Sequence, residues 1–259
     1  MVAKTESVDP LCRDSPSWYP GWRMASGILD IHRIEADLCT RRIGRRIEWV
    51  ASTSSTNDEA WARINAVDAD GLVVLAEHQT AGRGQHGHTW ESPRGASLLC
   101  SIALVAQANE LPGSKLSLLA SLAACAAVTR CTGVKPTIKW PNDLMVSGRK
   151  LGGILVEART RRDGVQVYVI GIGINCLQQR GHLSGHLGTT ATSLELESHL
   201  AIDRSGLVID LLSELDGWLA DPSRWSSVDL YDFGHSQGGL TALGPAALRD
   251  ADLAPSYRL

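Results

Sequence analysis

A chain of 259 residues, 44% hydrophobic and 20% charged, has the composition of an ordinary globular protein with room for one medium domain and appendages. Its formal net charge of −3 excludes the basic excess expected of a nucleic-acid binder, and the Arg41-Arg42 and Arg45-Arg46 pairs are only a local patch on a solvated surface. Six scattered cysteines (Cys12, Cys39, Cys100, Cys125, Cys131, Cys176) form no CxxC pair, which argues against a zinc site or disulfide framework and for free thiols in a reducing cytoplasm.

Residues 1–27 are rich in Ser, Pro, Trp and charge without a period, and Lys4, Glu6 and Asp9 precede any apolar run, so they read as a loose extension rather than a secretory signal. Ile28–Thr40 fits a short helix, with no second helix and turn to make a DNA-reading motif. Thr56-x-x-Glu59 fits a capping box opening a helix from Asn57 to about Asn65. Leu72, Val73, Val74 and Leu75 make Gly71–Glu77 a buried strand. Four glycines and a proline make 80–95 a loop, and Ala96–Val105 is the next strand. Ser114–Cys131 reads as a buried helix whose apolar stretch, Leu116–Val128, is too short and too rich in Ser and Ala to span a bilayer.

Thr137–Trp140 and Leu144–Val146 read as short strands. Turns at Ser147-Gly148-Arg149 and Arg162-Asp163-Gly164 lead into and out of a strand over Leu151–Ala158, and Val165–Ile172 alternates as a last strand. Gly206–Leu219 is an amphipathic helix with leucine every four residues. Helices with hairpin-linked strands make an α+β fold with a largely antiparallel sheet.

Three segments carry chemistry. Gly82-Arg83-Gly84-Gln85-His86-Gly87-His88 satisfies G-x-G-x-x-G and nearly a P-loop, but both need a helix directly afterwards, and Trp90-Glu91-Ser92-Pro93 breaks one. What survives is a nest of backbone N–H groups for an anion, with Arg83 adding charge; a structural glycine turn is the alternative. Lys139 and Lys150 end two strands that a hairpin would bring side by side, suiting a polyphosphate, with Asp143 near enough to bind Mg²⁺ or orient an amine; ordinary surface lysines on an exposed hairpin are the alternative. Gly171-Ile172-Gly173-Ile174-Asn175 lets a ligand, or a packed helix, approach the backbone closely. Gly234-His235-Ser236-Gln237-Gly238 matches a nucleophile elbow, but no histidine follows to complete a triad. His78, His86, His88, His182 and His186 lie in loops without metal-ligand spacing.

Together, Ser55-Thr56-Asn57, Gln79-Thr80-Ala81-Gly82-Arg83-Gly84, Lys139-Trp140-Pro141-Asn142-Asp143 and Lys150-Leu151-Gly152-Gly153-Ile154-Leu155-Val156-Glu157, in that order, resemble the biotin protein ligases, with Gly171–Asn175 and Thr192-Ser193-Leu194 extending the match. The resemblance implies an α+β catalytic domain with a mixed, largely antiparallel sheet flanked by helices over 41–220, between an N-terminal extension (1–40) and a C-terminal tail (221–259) without the small β-barrel that often ends the family. It implies that Ser55, Thr56, Asn57 and Gln79 hold biotin's ureido ring. Gly82, Arg83, Gly84, Gln85, Lys150 and Gly171 complete the biotin site, Arg83 and Lys150 contacting its carboxylate and the α-phosphate. Trp90, Lys139, Asn142 and Asn175 serve the nucleotide, and Asp143 serves Mg²⁺ or the incoming amine.

Biotin and ATP are then the substrates, Mg²⁺ the metal, and a biotin carboxyl carrier protein the acceptor. No nucleic-acid or membrane partner is expected, and a homodimer is compatible. Gln85 stands where several members carry arginine, which predicts a weaker hold on the acyl-phosphate. Two alternatives stay open: a lipoate- or octanoate-transferring relative, and a truncated homologue that binds biotin without turnover.

Overall fold

The computed structural model describes residues 28–222, except 67, 108, 109, 112, 184 and 186, together with 240–241. The first 27 residues, Cys12, His186, the Ser236 motif and most of the 221–259 tail therefore lie outside the described residues.

Ten strands follow in chain order: β1 (Arg46–Val50), β2 (Leu72–Ala76), β3 (Gly82–Arg83), β4 (Thr89–Trp90), β5 (Ser97–Ala106), β6 (Thr137–Lys139), β7 (Asp143–Val146), β8 (Arg149–Thr160), β9 (Gln166–Asn175) and β10 (Leu240–Thr241). The helices are α1 (Ile31–Asp37), α2 (Thr56–Arg63), α3 (Leu116–Thr132), α4 (Leu187–Thr190), α5 (Leu194–Glu197) and α6 (Arg204–Ala220). The main sheet runs β1-β2-β5-β9-β8-β7-β6-β10, and β3 and β4 form a separate small hairpin. β1 and β2 are parallel and the remaining pairs antiparallel. This is the expected mixed, largely antiparallel sheet flanked by helices.

Alternation sends the strand residues to two faces. On one face, Val73, Leu75, Leu98, Cys100, Ile102, Leu104, Ile170, Ile172 and Ile174 pack against α3 and α6 in the larger core. On the other, Leu72, Val74, Ala103, Val167 and Val169 pack under Ala60 and Trp61 of α2. α3 ends at Gly133, whose left-handed φ of 73° lets its N–H close on Thr129. With the turn before it, this helical segment spans Gly113–Thr132, longer than the apolar stretch suggests and long and apolar enough by composition to cross a membrane; it is instead largely buried against α6 and the sheet.

A buried ion pair fastens the start of α6. Arg204 donates to Glu77 Oε2 (2.7 Å) and to the Ser97 carbonyl, while Glu77 Oε1 accepts from the Leu29 backbone.

Two expectations need correction, and one strand is absent from the sequence reading. The capping box does not form: Ser55 is the N-cap, and Glu59 instead accepts from Thr53 Oγ1 and pairs with Arg63. β1 was not anticipated. Finally, Lys139 and Lys150 do not sit on neighbouring strands, because β7 lies between β6 and β8.

Candidate functional site

Along β9 the face under α2 changes character. Val167 and Val169 are buried, but the next two residues on that face are Gly171 and Gly173. A Cβ on Gly171 would stand 2.4 Å from Asn57 Oδ1, and one on Gly173 would stand 2.8 Å from the Trp90 ring. Bare backbone therefore lets side chains from elsewhere lie directly on the sheet. Beside the start of α2 this leaves a cavity of about 290 Å³, near the lower end of small-molecule sites.

One end is polar and built by the start of α2. Ser55, Thr56 and Asn57 are buried. The Thr56 backbone N–H and Oγ1 both donate to Gln79 Oε1, at 2.7 and 3.0 Å. This contact displaces the capping role expected of Thr56. Ser101 donates to Asn57 Oδ1 (2.6 Å), and Asn57 Nδ2 donates to Glu157 (2.8 Å).

The other end is charged. Lys150 Nζ lies 2.6 Å from Asp143 Oδ1, above Gly153, where a Cβ would come within 3.5 Å of the ammonium. Lys139 borders the same end. Asn142 borders the cavity too, but its Nδ2 is used on the Ile154 carbonyl (2.8 Å). The strand carrying Lys150 is clamped from outside the sheet: Thr192 N–H donates to the Lys150 carbonyl, and Glu197 accepts from both Thr192 Oγ1 and Arg149.

The glycine segment is a hairpin rather than an open nest. Gly82 pairs with Trp90 and Arg83 with Thr89. Gly84 N–H donates to the His88 carbonyl and His88 N–H to the Gln85 carbonyl, so these donors are already used. Charge for an anion comes instead from the Arg83 side chain. Here it pairs with Asp58 (2.6 Å) and Glu157 (3.3 Å), and hydrogen bonding to Asp58 first of all raises the guanidinium pKa above its ordinary value. Trp90 Nε1 is buried without a hydrogen-bond partner.

Ser55, Thr56, Asn57, Gln79, Arg83, Gly84, Gln85, Trp90, Lys139, Asn142, Asp143, Lys150 and Gly171 thus all border one cavity. Two candidates do not. Gly82 packs beneath the Trp90 carbonyl, which a Cβ would approach to 2.4 Å. Asn175 donates to the Thr192 carbonyl and accepts from Gln178, so it braces the Thr192 clamp. Sequence reasoning missed Ser101, Asp58 and the task of Glu157. Glu157 alone carried a signal, as the last residue of the Lys150 motif. Among the described residues no group of three or more His, Cys, Asp or Glu could hold a metal ion.

The family model for biotin/lipoate A/B protein ligases matches residues 49–175. A biotin–acetyl-CoA-carboxylase ligase of Paracoccus denitrificans is 32% identical over 213 residues, 81% of this chain and 80% of that protein. The chain belongs to the biotin/lipoate A/B protein ligase family. Another relative, a bifunctional ligase/repressor BirA of Bacillus spizizenii, is 34% identical over 194 residues; the match takes in 74% of this chain and spans 60% of that relative's length. Among solved structures, a mutant biotin protein ligase from Aquifex aeolicus in complex with biotin aligns with a TM-score of 0.58 at 25% identity, over 68% of this chain and 70% of that one. Within the biotin/lipoate ligase family, the stretch that the model matches carries α2, β2, both faces of the cavity and the hairpin above it.

Proposed function

We propose that the chain is a biotin protein ligase. It joins biotin to ATP as biotinyl-5′-AMP, releasing pyrophosphate, and then transfers biotin to a lysine of a biotin carboxyl carrier protein. The observation that carries this reading is the convergence of four motifs, far apart in the chain, on one cavity with a neutral polar end and a cationic end. A neutral fused ring with a urea suits Ser55, Thr56, Asn57 and Gln79. A carboxylate and a polyphosphate suit Arg83, Lys139 and Lys150.

In the first step a biotin carboxylate oxygen attacks the α-phosphorus, and the bond to pyrophosphate breaks. Charge builds on the phosphoryl oxygens, where Arg83 and Lys150 neutralise it. To do so Arg83 exchanges a protein carboxylate for the substrate. Trp90 on Gly173 offers the nucleotide base a flat apolar surface. In the second step the carrier lysine, as a neutral amine, attacks the acyl carbon, and AMP leaves with the bond electrons. Asp143 orients that amine or accepts its proton.

Mg²⁺ binds through one or two carboxylates, substrate phosphates and water. Asp143 is the one carboxylate bordering the cavity among the described residues, which fits such a site, and the ion would supply further neutralisation of phosphate charge. The described cysteines are free thiols, as suits a cytoplasmic enzyme.

The test is incubation with biotin, Mg-ATP and a biotin carboxyl carrier domain, read by a streptavidin gel shift. A shifted carrier is expected. Biotin binding without pyrophosphate release or carrier shift would favour a non-catalytic binder and overturn the proposal.

A further inference from the structure

Glu157 closes the motif that begins at Lys150, yet neither step above uses it. It shares its face of β8 with Gly153 and Leu155, which border the cavity, and its side chain is only 30% exposed. Its Oε2 accepts from Asn57 Nδ2 at 2.8 Å, from Trp61 Nε1 at 3.0 Å and from Arg83 at 3.3 Å. Donors from the cavity end of α2, from its buried middle and from the glycine hairpin thus meet on one oxygen. Arg159, next on the same face, lies 4.0 Å over the Trp61 ring and backs the same indole.

The two ends of an amide have nearly the same shape, so its hydrogen-bond partners set which end points where. An ionised carboxylate only accepts and therefore takes the Asn57 NH₂. Ser101 donates to the other end, and the Asn57 oxygen is left lying on Gly171 at the cavity floor. The same carboxylate gives Arg83 its second anchor beside Asp58 and so draws the hairpin down over that floor.

We propose that Glu157 is a positioning residue with two tasks: it fixes which end of the Asn57 amide meets the ring of the substrate, and it seats Arg83, with its hairpin, above the substrate carboxylate. This rests on the ligase reading. The two tasks separate chemically. Glutamine keeps an acceptor for Asn57 and Trp61 but loses the charge that holds Arg83. Alanine loses both.

The experiment compares Glu157→Gln, Glu157→Ala and Asp58→Asn with the full wild-type chain, with melting temperature as the check on folding. Biotin Kd is measured by calorimetry. Hydrogen exchange at the Gly84 amide, which is bonded to the His88 carbonyl, is measured on ligand-free protein. Glu157→Ala is expected to weaken biotin binding about tenfold or more, the scale of a lost hydrogen bond to a charged group. Glu157→Gln is expected to restore most of that affinity. All three variants should exchange faster at Gly84, and Glu157→Gln should lower the adenylation kcat while leaving the biotin KM nearly unchanged.

Biotin binding as poor in Glu157→Gln as in Glu157→Ala would overturn the Asn57 task. Unchanged Gly84 exchange in Glu157→Gln would overturn the Arg83 task, whether or not biotin binds. A wild-type chain that binds no biotin refutes the ligase reading instead.

Discussion

Replacing Lys150 with alanine separates catalysis from stability. The ammonium sits 2.6 Å from Asp143, but its side chain is 39% exposed and that of Asp143 23%. A pair this open to water contributes less than about 1 kcal/mol to folding, because solvent screens it and the long side chain loses entropy in holding it. Against developing charge on a phosphoryl oxygen the same group counts for more. One positive charge about 4 Å away contributes roughly 4 kcal/mol near a protein surface, and loss of one such stabilising donor typically lowers kcat by about 10²–10³. Lys150→Ala should therefore lower biotin-dependent ATP–pyrophosphate exchange by about 10² or more. Its melting temperature should fall by no more than a few degrees. Exchange within a few-fold of wild type would refute the role given to Lys150, and a collapse of thermal stability would show that the ion pair is structural.

Four further outcomes are expected. Gly171→Ala puts a methyl 2.4 Å from Asn57 Oδ1 and should weaken biotin binding about tenfold or more, the scale of overpacking, read by calorimetry. Gln85→Arg adds a cation to the cavity border and should reduce labelling of a bystander protein relative to wild type while carrier labelling continues, read on a streptavidin blot. Glu77→Ala removes the buried carboxylate that accepts from both Arg204 and the Leu29 amide; a loss of about 3–5 kcal/mol, roughly 10 °C in Tm, should appear in thermal unfolding. Burial pushes the Cys100, Cys125 and Cys176 thiols up to about 12. Between their ordinary value near 9 and about 12 the unfolded chain releases protons that the folded chain keeps, so stability should fall as pH rises through that window and be unaffected by these groups below it. Denaturant titrations at pH 7 and 10 check the sign.

The sequence announces elements whose period matches one environment. α3 is a nearly continuous apolar run, α6 repeats leucine every four residues, and β2 and β5 are buried on both faces, so their residues leave little choice. β1 was hidden because it is a short edge strand with Arg46 and Glu48 on one face and the half-exposed Trp49 on the other, and its partner β2 lies 22 residues further on. Thr56-x-x-Glu59 looked like a cap because local spacing cannot show that Gln79 and Thr53 compete for those groups. The cavity residues were legible as motifs, and their convergence was not. It depends on β7 inserting between β6 and β8 and on glycines that matter only where Asn57 and Trp90 lie against them. Asn175 illustrates the same limit: the family resemblance gives it to the nucleotide, while its partners here are Thr192 and Gln178.

The Thr192 clamp on Lys150 also has a consequence for synthesis. A nascent chain that has left the ribosome only as far as Gly173 already carries all four motifs. The hydrogen bonds that brace the strand of Lys150 come from Thr192 and Glu197, and the buried pair that locks the core needs Arg204. Rigidity at the strand of Lys150 and in the core then arrives late, once α6 has docked. On the proposed ligase reading, a half-made chain would hold the reagents' binding groups without the rigidity to activate an acyl group, so reactive adenylate would not be released beside the translating ribosome.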